Sequence, residues 1–359
     1  MVAGYDSLEA CVNALRRGER RALSRAITLI ESTHPTHVQQ ASRLLDQLHR
    51  QPKKEALRIG MSGPPGAGKS TFIDALGCAI IQQDQHLAVL AVDPSAAPKE
   101  GRFVRQDGML VCHDGSLAHA GGAILGDKTR MPHLAACDNA FIRPSPSRAI
   151  LGGIAPQTHN AITLCESAGY DVIIVETVGV GQSEIIVADM VDLFMLVLPP
   201  ASGDSLQGIK RGIIEVTDIL IVNKADGALK HNALRSSEEY HAAMKLLPPK
   251  RPYWTAQSIA VSSIEKTGID HVIQTIAMFK SHPDHRRLRS TERIQQDKRS
   301  MWRVLHDLFE KRLFHHPQAK KELDLSYQQL DQQKTTPLHA AHAIMEKLFA
   351  HGEKNDIRG

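Results

Sequence analysis

Residues 63–70 read Gly63-Pro64-Pro65-Gly66-Ala67-Gly68-Lys69-Ser70, and Thr71 follows them. The stretch matches the pattern G-x-x-x-x-G-K-[ST] of a phosphate-binding loop at every specified position. An apolar run from Leu57 to Met61 precedes it and predicts a strand, and residues 70–82 carry apolar side chains at helical spacing. Because such a loop works between a strand and a helix, this context predicts binding of a nucleoside triphosphate.

Each part of this loop has a chemical role. Its glycines allow successive backbone N–H groups to face the phosphates, and the following helix N-terminus adds positive potential. We expect Lys69 to reach the β- and γ-phosphates and the Ser70 hydroxyl to bind Mg²⁺. All residues from Gly63 to Thr71 are therefore candidate nucleotide contacts.

A second motif predicts the base. The apolar run Ile219 to Val222 predicts a buried strand, and Asn223-Lys224-Ala225-Asp226 follows it with the pattern N-K-x-D. A carboxylate at Asp226 can accept hydrogen bonds from N1–H and the N2 amino group of guanine, whereas adenine offers no such pair of donors. Lys224 would pack along the base and Asn223 would brace a neighbouring loop. The last base-contacting loop is predicted at Ser262, Ser263 and Ile264.

Two acidic residues are predicted to organise the metal and the attacking water. Glu176 lies at the end of the apolar run that begins at Asp171, and Gly179 follows it. Asp93 follows a second predicted strand, Leu87 to Val92. Carboxylates at such strand ends orient Mg²⁺ or a metal-bound water in nucleotide hydrolases, and the Gly179 N–H can contact the γ-phosphate. Catalysis is therefore assigned to Lys69, Asp93 and Glu176, with metal ligation by Ser70, Asp93 and Glu176.

The chain resembles the MeaB/ArgK-type P-loop GTPases, whose human member is the methylmalonic aciduria type A protein. Besides the two motifs above, the segments that carry the resemblance are Arg20 to Thr28, Val92-Asp93-Pro94-Ser95, Leu125 to Met131, Phe141 to Ser147, Glu176 to Glu184, and Leu206-Gln207-Gly208-Ile209-Lys210.

The resemblance implies an α/β P-loop NTPase fold with a mainly parallel sheet, a helical N-terminal extension and a helical C-terminal dimerisation arm. It implies hydrolysis of GTP to GDP, and a chaperone role toward an adenosylcobalamin-dependent acyl-CoA mutase such as methylmalonyl-CoA mutase. The mutase is the implied partner, with its adenosyltransferase as a further one, and adenosylcobalamin enters only through the partner. Lys210 lies in the segment called switch III in this family and is the implied charge-stabilising residue.

The implied organisation has three parts. Residues 1–54 form the N-terminal helical extension, 55–282 the GTPase domain and 283–359 the dimerisation arm, which gives a homodimer. Beyond Pro283, a basic helix is expected before an apolar-striped one that carries Met301, Leu305 and Leu308; a last helix is expected from Pro337.

Two of the departures from the family pattern affect the predicted switch segments. Residues from about 96 to 120 form an atypical insertion before the Leu125 to Met131 block, and Ser205 stands where the family carries Glu. The insertion is expected to change how the first switch segment closes over the nucleotide. Loss of the carboxylate at position 205 is expected to weaken coupling to the partner.

Composition favours a soluble intracellular protein. The chain has 359 residues, 42% of them hydrophobic, which suffices for a large core. A net charge of +4 gives no indication of a nucleic-acid surface, and the apolar runs are too short to span a membrane. Five scattered cysteines without a C-x-x-C pair indicate reduced thiols and a cytoplasmic location. The 19 histidines form no convincing metal-binding pattern.

Two other functions are compatible with a phosphate-binding loop. One is a kinase or ATPase of a lysine/arginine/ornithine transport system, against which Asp226 argues because it selects guanine. The other is a nucleotide-dependent scaffold with little hydrolysis, which the insertion and Ser205 make plausible.

Overall fold

The computed structural model describes residues 3–32, 34–51, 54–92, 103–106, 109–112, 130–143, 154–177, 183–200, 211–315 and 317–350. Within these ranges only the backbone is described for 103–106, 109–112, 154, 155, 183, 211, 310–315, 317–320 and 348–350.

The strands of the described ranges are short and apolar. They are β1 (Leu57–Ser62), β2 (Leu87–Val92), β3 (Phe103–Gln106), β4 (Met109–Cys112), β5 (Ala140–Arg143), β6 (Val172–Thr177), β7 (Leu193–Leu198), β8 (Ile219–Val222) and β9 (Gln257–Ala260).

Helices connect these strands and extend the chain at both ends. They are α1 (Leu8–Arg16), α2 (Arg20–Ile30), α3 (Pro35–His49), α4 (Lys69–Ile81), α5 (Pro132–Ala135), α6 (Ile154–Ser167), α7 (Ser183–Ala188), α8 (Arg211–Glu215), α9 (Lys230–Lys245), α10 (Ile269–Ser281), α11 (Pro283–His315), α12 (Pro317–Asp331) and α13 (Pro337–Ala350).

Seven strands form one parallel sheet in the order β5-β2-β6-β1-β7-β8-β9. The strand before the phosphate-binding loop, β1, lies in the middle, and the chain adds strands on both sides of it. In parallel sheets ligands bind beyond the carboxyl ends of the strands, where the strand order reverses. The predicted P-loop fold with a mainly parallel sheet and helical extensions at both ends is confirmed.

Both faces of the sheet are covered, which explains why its strands read as continuous apolar runs. Along β6, Ile173 and Val175 pack toward the face that carries α1, α2 and α3. Their neighbours Val172 and Ile174 pack toward the face that carries α4 and α10. Alternation between two buried faces therefore leaves little room for polar side chains within the sheet.

Helix boundaries follow local chemistry at several points. The Ser7 hydroxyl accepts a hydrogen bond from the Ala10 N–H at 3.0 Å and so caps α1. Pro35 and Pro337 occupy first-turn positions, where a missing N–H costs nothing. Leu23 and Ile27, one turn apart on α2, are both buried.

Two elements differ from the sequence-based expectation, and the insertion contains strands that the sequence analysis did not predict. The basic and apolar-striped segments after Pro283 form one helix, α11, because no proline or glycine interrupts residues 284–315. Strand β6 continues through Thr177, so Glu176 lies inside the strand. Within the insertion, β3 and β4 pair antiparallel as a separate two-stranded ribbon.

The chain divides into two compact units. The first comprises Met1–Ile150 and Ile154–Ser300, and the second comprises Leu151–Gly153 and Met301–Gly359. The N-terminal helices thus belong to the same unit as the sheet, and the division falls within α11. The domain boundaries given above stay predictions.

A helix that crosses a bilayer must be long and predominantly apolar. Over the described ranges, no helix combines the length and apolar character that a membrane crossing needs.

Candidate nucleotide-binding site

At two positions of the loop between β1 and α4, the backbone conformation and the close neighbours require glycine. Gly63 has φ 155°, and a Cβ there would lie 2.0 Å from the Val197 carbonyl oxygen. Gly68 has φ 83°, and a Cβ there would lie 2.6 Å from Nδ2 of Asn223. Side chains at these positions would push the loop away from β7 and from the N-K-x-D segment, so the glycines keep the loop compact.

Lys69 is folded onto the loop that precedes it. Its Nζ donates to the Gly63 carbonyl at 2.7 Å and to the Pro64 carbonyl at 3.2 Å. No side chain caps the N-terminus of α4, whose first residues are Lys69, Ser70 and Thr71. The first-turn N–H groups of this helix and the lysine ammonium therefore gather positive potential at the carboxyl edge of the sheet.

Acidic and basic side chains set the electrostatics around Lys69. Burial lowers the pKa of Lys69 below its ordinary value; Glu176 opposes this shift, Arg130 adds to it, and Glu184 opposes it. Glu176 and Glu184 are both buried, on β6 and α7 respectively, whereas Arg130 is exposed. The structure thus places the predicted Glu176 beside the phosphate-binding loop.

Glu184 and Arg130 were not among the predicted site residues. Both lie in sequence blocks that carry the family resemblance, Glu176 to Glu184 and Leu125 to Met131. Their place in these blocks was the one sequence feature that could have marked them as site residues. Neither residue lies in a local pattern that predicts proximity to Lys69.

Asn223 joins the two predicted nucleotide-binding motifs. Its Nδ2 donates to the Ala67 carbonyl at 3.0 Å and to the Gly68 carbonyl at 3.3 Å. Its Oδ1 accepts from the Ser263 hydroxyl at 2.6 Å and from the Ser263 N–H at 3.3 Å. One buried amide therefore connects the phosphate-binding loop with the loop after β9.

Asp226 lies next to that same loop. Its Oδ2 accepts a hydrogen bond from the Ser262 hydroxyl at 2.5 Å, and the Ser262 hydroxyl in turn accepts from the Glu265 N–H at 3.0 Å. The half-buried carboxylate is thereby held in one orientation. Ile264, on the same loop, has 77% of its surface exposed and forms an apolar edge beside these polar groups.

The N-K-x-D segment also has an unusual backbone conformation. Lys224 has φ 64°, in the left-handed region that non-glycine residues rarely adopt. The Ala225 N–H donates to the Val261 carbonyl at 3.0 Å, which joins the N-K-x-D segment to the Ser262–Ser263 turn. Strands β8 and β9 thus bring the two base-side segments together.

Some predicted site residues lie outside the described residues: Asp93, Gly179 and Lys210. The side chains from Cys112 to His119, where Cys112, His113 and Asp114 follow one another in the sequence, also lie outside the described residues. Among the side chains that are described, no group of three or more His, Cys, Asp or Glu residues is arranged to hold a metal.

Comparison with known proteins identifies the family. The family model described as "Methylmalonyl Co-A mutase-associated GTPase MeaB" matches residues 23–107 and 102–318. The chain belongs to the MeaB GTPase family. The two matched segments meet at residues 102–107, inside the insertion between β2 and α5.

Individual relatives agree with this membership. A protein named "Putative GTPase" from Caulobacter vibrioides is 45% identical over 305 residues, which cover 85% of this chain and 86% of that protein. The mouse protein named "Methylmalonic aciduria type A homolog, mitochondrial" is 41% identical over 345 residues, covering 92% of this chain and 77% of that one.

A solved structure extends the agreement to the fold. The crystal structure titled "LAO/AO transport system kinase" superposes with a TM-score of 0.71 at 32% identity, covering 95% of this chain and 97% of that chain. This MeaB-family member is therefore a P-loop GTPase.

Proposed function

We propose that this GTPase gates the loading or protection of the cofactor of an adenosylcobalamin-dependent acyl-CoA mutase, and that it works as a homodimer in the cytoplasm. The family description, which names methylmalonyl-CoA mutase, and the name of the mouse relative support this assignment. The chain itself carries no D-x-H-x-x-G cobalamin motif, so the corrinoid would be held by the partner.

The hydrogen bond from Ser262 to Asp226 is the observation that best supports selection of guanine, because it orients the carboxylate. It leaves one carboxylate oxygen and the remaining lone pairs for the N1–H and N2 amino donors of the base. Lys224 would lie along one face of the base, and Ile264 offers an apolar surface beside it. Ser263 supports this arrangement through Asn223.

On the phosphate side we assign roles by position. Lys69 would leave the carbonyls of Gly63 and Pro64 and take up the β- and γ-phosphates. Glu176, buried and electrostatically coupled to Lys69, would orient the attacking water. Asp93, Gly179 and Lys210 keep the roles that the sequence predicts for them.

The residues around the loop fit a magnesium ion. Mg²⁺ prefers oxygen ligands, and the Ser70 hydroxyl in the first turn of α4 and the Glu176 carboxylate supply two. When bound, the ion neutralises charge on the β- and γ-phosphate oxygens.

A single-turnover assay of GTP hydrolysis tests the proposal. It is run with GTP and with ATP, each with and without a candidate mutase. We expect slow hydrolysis of GTP alone, acceleration by the mutase, and little binding of ATP. The variant Glu176→Gln should bind GTP as the native protein does but hydrolyse it more slowly, whereas Glu238→Gln, on the exposed face of α9, should match the native protein.

Each alternative function has its own outcome in this assay. Equal use of ATP, with phosphoryl transfer to a binding protein, would favour the transport kinase. Tight GTP binding without measurable hydrolysis, even with the mutase present, would favour a scaffold. Native hydrolysis by Glu176→Gln would remove Glu176 from the catalytic group.

A further inference from the structure

Two cysteines lie side by side next to the phosphate-binding helix. Cys78 on α4 and Cys137 in the turn between α5 and β5 pack against the same side of the core, near enough for the two thiols to influence each other electrostatically. Both side chains are partly exposed, and both pack at the border of the core on this face of the sheet. The Cys137 thiol also donates to the His133 carbonyl at 3.3 Å.

Independent contacts fix the two segments against each other. Oδ1 of the buried Asp74, one turn before Cys78, accepts from the Leu134 N–H at 2.7 Å. At Gly77 an added Cβ would lie 2.9 Å from the Leu134 side chain, so α4 and α5 approach as closely as glycine permits. The cysteines therefore meet because the surrounding backbone holds them there.

The other described cysteines are in a different position. Cys11 and Cys165 are fully buried, and burial raises the pKa of both thiols. An oxidant in solution reaches neither of them readily. Among the described cysteines, accessibility and pairing coincide only at Cys78 and Cys137.

We propose that Cys78 and Cys137 are a redox modification site, at which a peroxide converts the two thiols into a reversible disulfide. In the first step the peroxide O–O bond breaks, an S–O bond forms on one cysteine, and one water leaves. In the second step the other thiol attacks that sulfur, the S–O bond breaks, the S–S bond forms and a second water leaves. Two thiols and one hydrogen peroxide thus yield one disulfide and two waters.

The disulfide would bind α4 covalently to the turn after α5. Helix α4 begins with Lys69 and Ser70, and Arg130, whose charge acts on Lys69, lies two residues before α5, so the crosslink joins the helix that carries Lys69 to the segment that follows Arg130. A crosslink there would limit their relative movement during nucleotide exchange, and it would stabilise the folded state by restricting the unfolded chain.

The surroundings of Cys78 set its reactivity. Burial raises the pKa of its thiol, Asp74 and Cys137 raise it further, and Lys266 from the loop after β9 opposes them. Because the thiolate is the reactive form, oxidation should be slow at neutral pH and faster in mildly alkaline solution. Such a pair responds to sustained oxidation and returns to thiols with a dithiol reductant.

The full-length protein is treated with hydrogen peroxide, alkylated to trap the remaining thiols, digested and mapped by mass spectrometry. The expected product is a peptide pair joined through Cys78 and Cys137, formed about tenfold faster than any other disulfide because these thiols are partly exposed and adjacent. Dithiothreitol should restore both thiols. The oxidised protein should unfold at a higher temperature than the reduced protein.

Two variants separate the site from its alternatives. Cys137→Ser should fold and bind GDP like the native protein but form no such linkage and show no rise in unfolding temperature on oxidation. Cys112→Ser should oxidise as the native protein does. The proposal is overturned if Cys78 and Cys137 are recovered only as separate sulfenic or sulfinic acids, or if the main linkage contains Cys112.

Discussion

At the residue scale, individual side chains connect the phosphate-binding loop with the segments predicted to bind the base. Asn223 is bonded to the carbonyls of Ala67 and Gly68 on one side and to Ser263 on the other. Asp226 is oriented by Ser262. Because a buried polar group left without its partner costs free energy, substitutions here should affect both affinity and stability.

Substitution of Asp226 tests base selection. Asp226→Asn removes the acceptor for one guanine donor and places an amide N–H against another, so the GTP binding free energy should weaken by about 2 to 4 kcal/mol. Xanthosine triphosphate, which presents an acceptor in place of the N2 amino group, should regain affinity. Isothermal titration calorimetry measures both, with Asp46→Asn on the exposed face of α3 as the control. Unchanged GTP affinity would show that Asp226 does not contact the base.

Substitution of Asn223 tests the connection between the loops. Asn223→Ala leaves loop carbonyls and the Ser263 hydroxyl without this partner, so the free energy of unfolding should fall by about 1 to 3 kcal/mol. The affinity for GDP should fall as well, because neither loop is braced. Urea unfolding measures the stability and calorimetry measures the GDP affinity. The control Asn232→Ala, at an exposed position of α9, should alter neither. A variant with native GDP affinity would contradict the bracing role.

At the scale of elements, buried charges fasten α11 to the edge of the sheet opposite the nucleotide site. Arg293 donates to Glu166 at 3.0 Å and to Asp192 at 2.8 Å, and Arg58 donates to Glu166 at 2.9 and 3.0 Å. Both carboxylates are buried. Breaking a buried ion pair on one side leaves an uncompensated charge, which costs more than the pair contributes.

Removal of Arg293 should therefore be severe. We expect Arg293→Met to lower the free energy of unfolding by about 3 to 5 kcal/mol, while Arg286→Met on the exposed side of the same helix should change it little. Chemical denaturation at neutral pH gives both values. A loss no larger than that of the control would mean that this network is dispensable for α11.

The same substitution should change the response to acid. Burial pushes the pKa of Asp192 up, but Arg293 and then Arg289 and Arg58 outweigh it, so the pKa lies below its ordinary value. Stability from this group is then present above the unfolded-state pKa of about 4 and is lost as pH falls through the lower folded-state pKa. Arg293→Met should flatten that acid-side dependence in unfolding curves measured against pH.

The insertion is a second element with a separable effect. Strands β3 and β4 pair with each other and not with the main sheet. We expect deletion of residues 99–119 to leave the melting temperature and GDP affinity nearly unchanged, because a surface loop adds little closure entropy. The GTPase rate, or its activation by the mutase, should shift. An unfolded deletion variant would show that the segment belongs to the core, and native rates would show that it is neutral.

At the scale of the whole molecule, α11 presents apolar side chains that its own chain leaves exposed. Met301, Leu305 and Leu308 have 57%, 49% and 55% of their surfaces exposed, at spacings that place them along one side of the helix. Exposed apolar stripes of this kind mark interaction surfaces, which is consistent with the proposed homodimer.

A double substitution tests the dimer. Leu305→Asp with Leu308→Asp should convert the dimer to a monomer, because charges on an apolar interface lose their hydration without gaining partners. Sedimentation equilibrium gives the mass, and Gln329→Asp, on an exposed position of α12, is the control. A native protein that sediments as a monomer, or a double variant that stays dimeric, would exclude this surface as the interface.

The sequence alone determined the fold class and the GTPase activity. The phosphate-binding loop and the N-K-x-D segment are recognisable because each packs its function into a few adjacent residues between a strand and a helix. Apolar runs likewise predicted β2 and β8 with their observed bounds. The junction after Pro283 was misjudged because composition changes there although no helix-breaking residue is present.

Only the tertiary structure decided which distant residues meet. It brought Glu184 and Arg130 toward Lys69, and it placed Cys78 against Cys137. Arg58 and Arg293 converge on one carboxylate from positions 235 residues apart. Such neighbours follow from the order of strands in the sheet and from the packing of helices on its two faces. Sequence periodicity records which face of an element is buried, but it does not record what lies against that face.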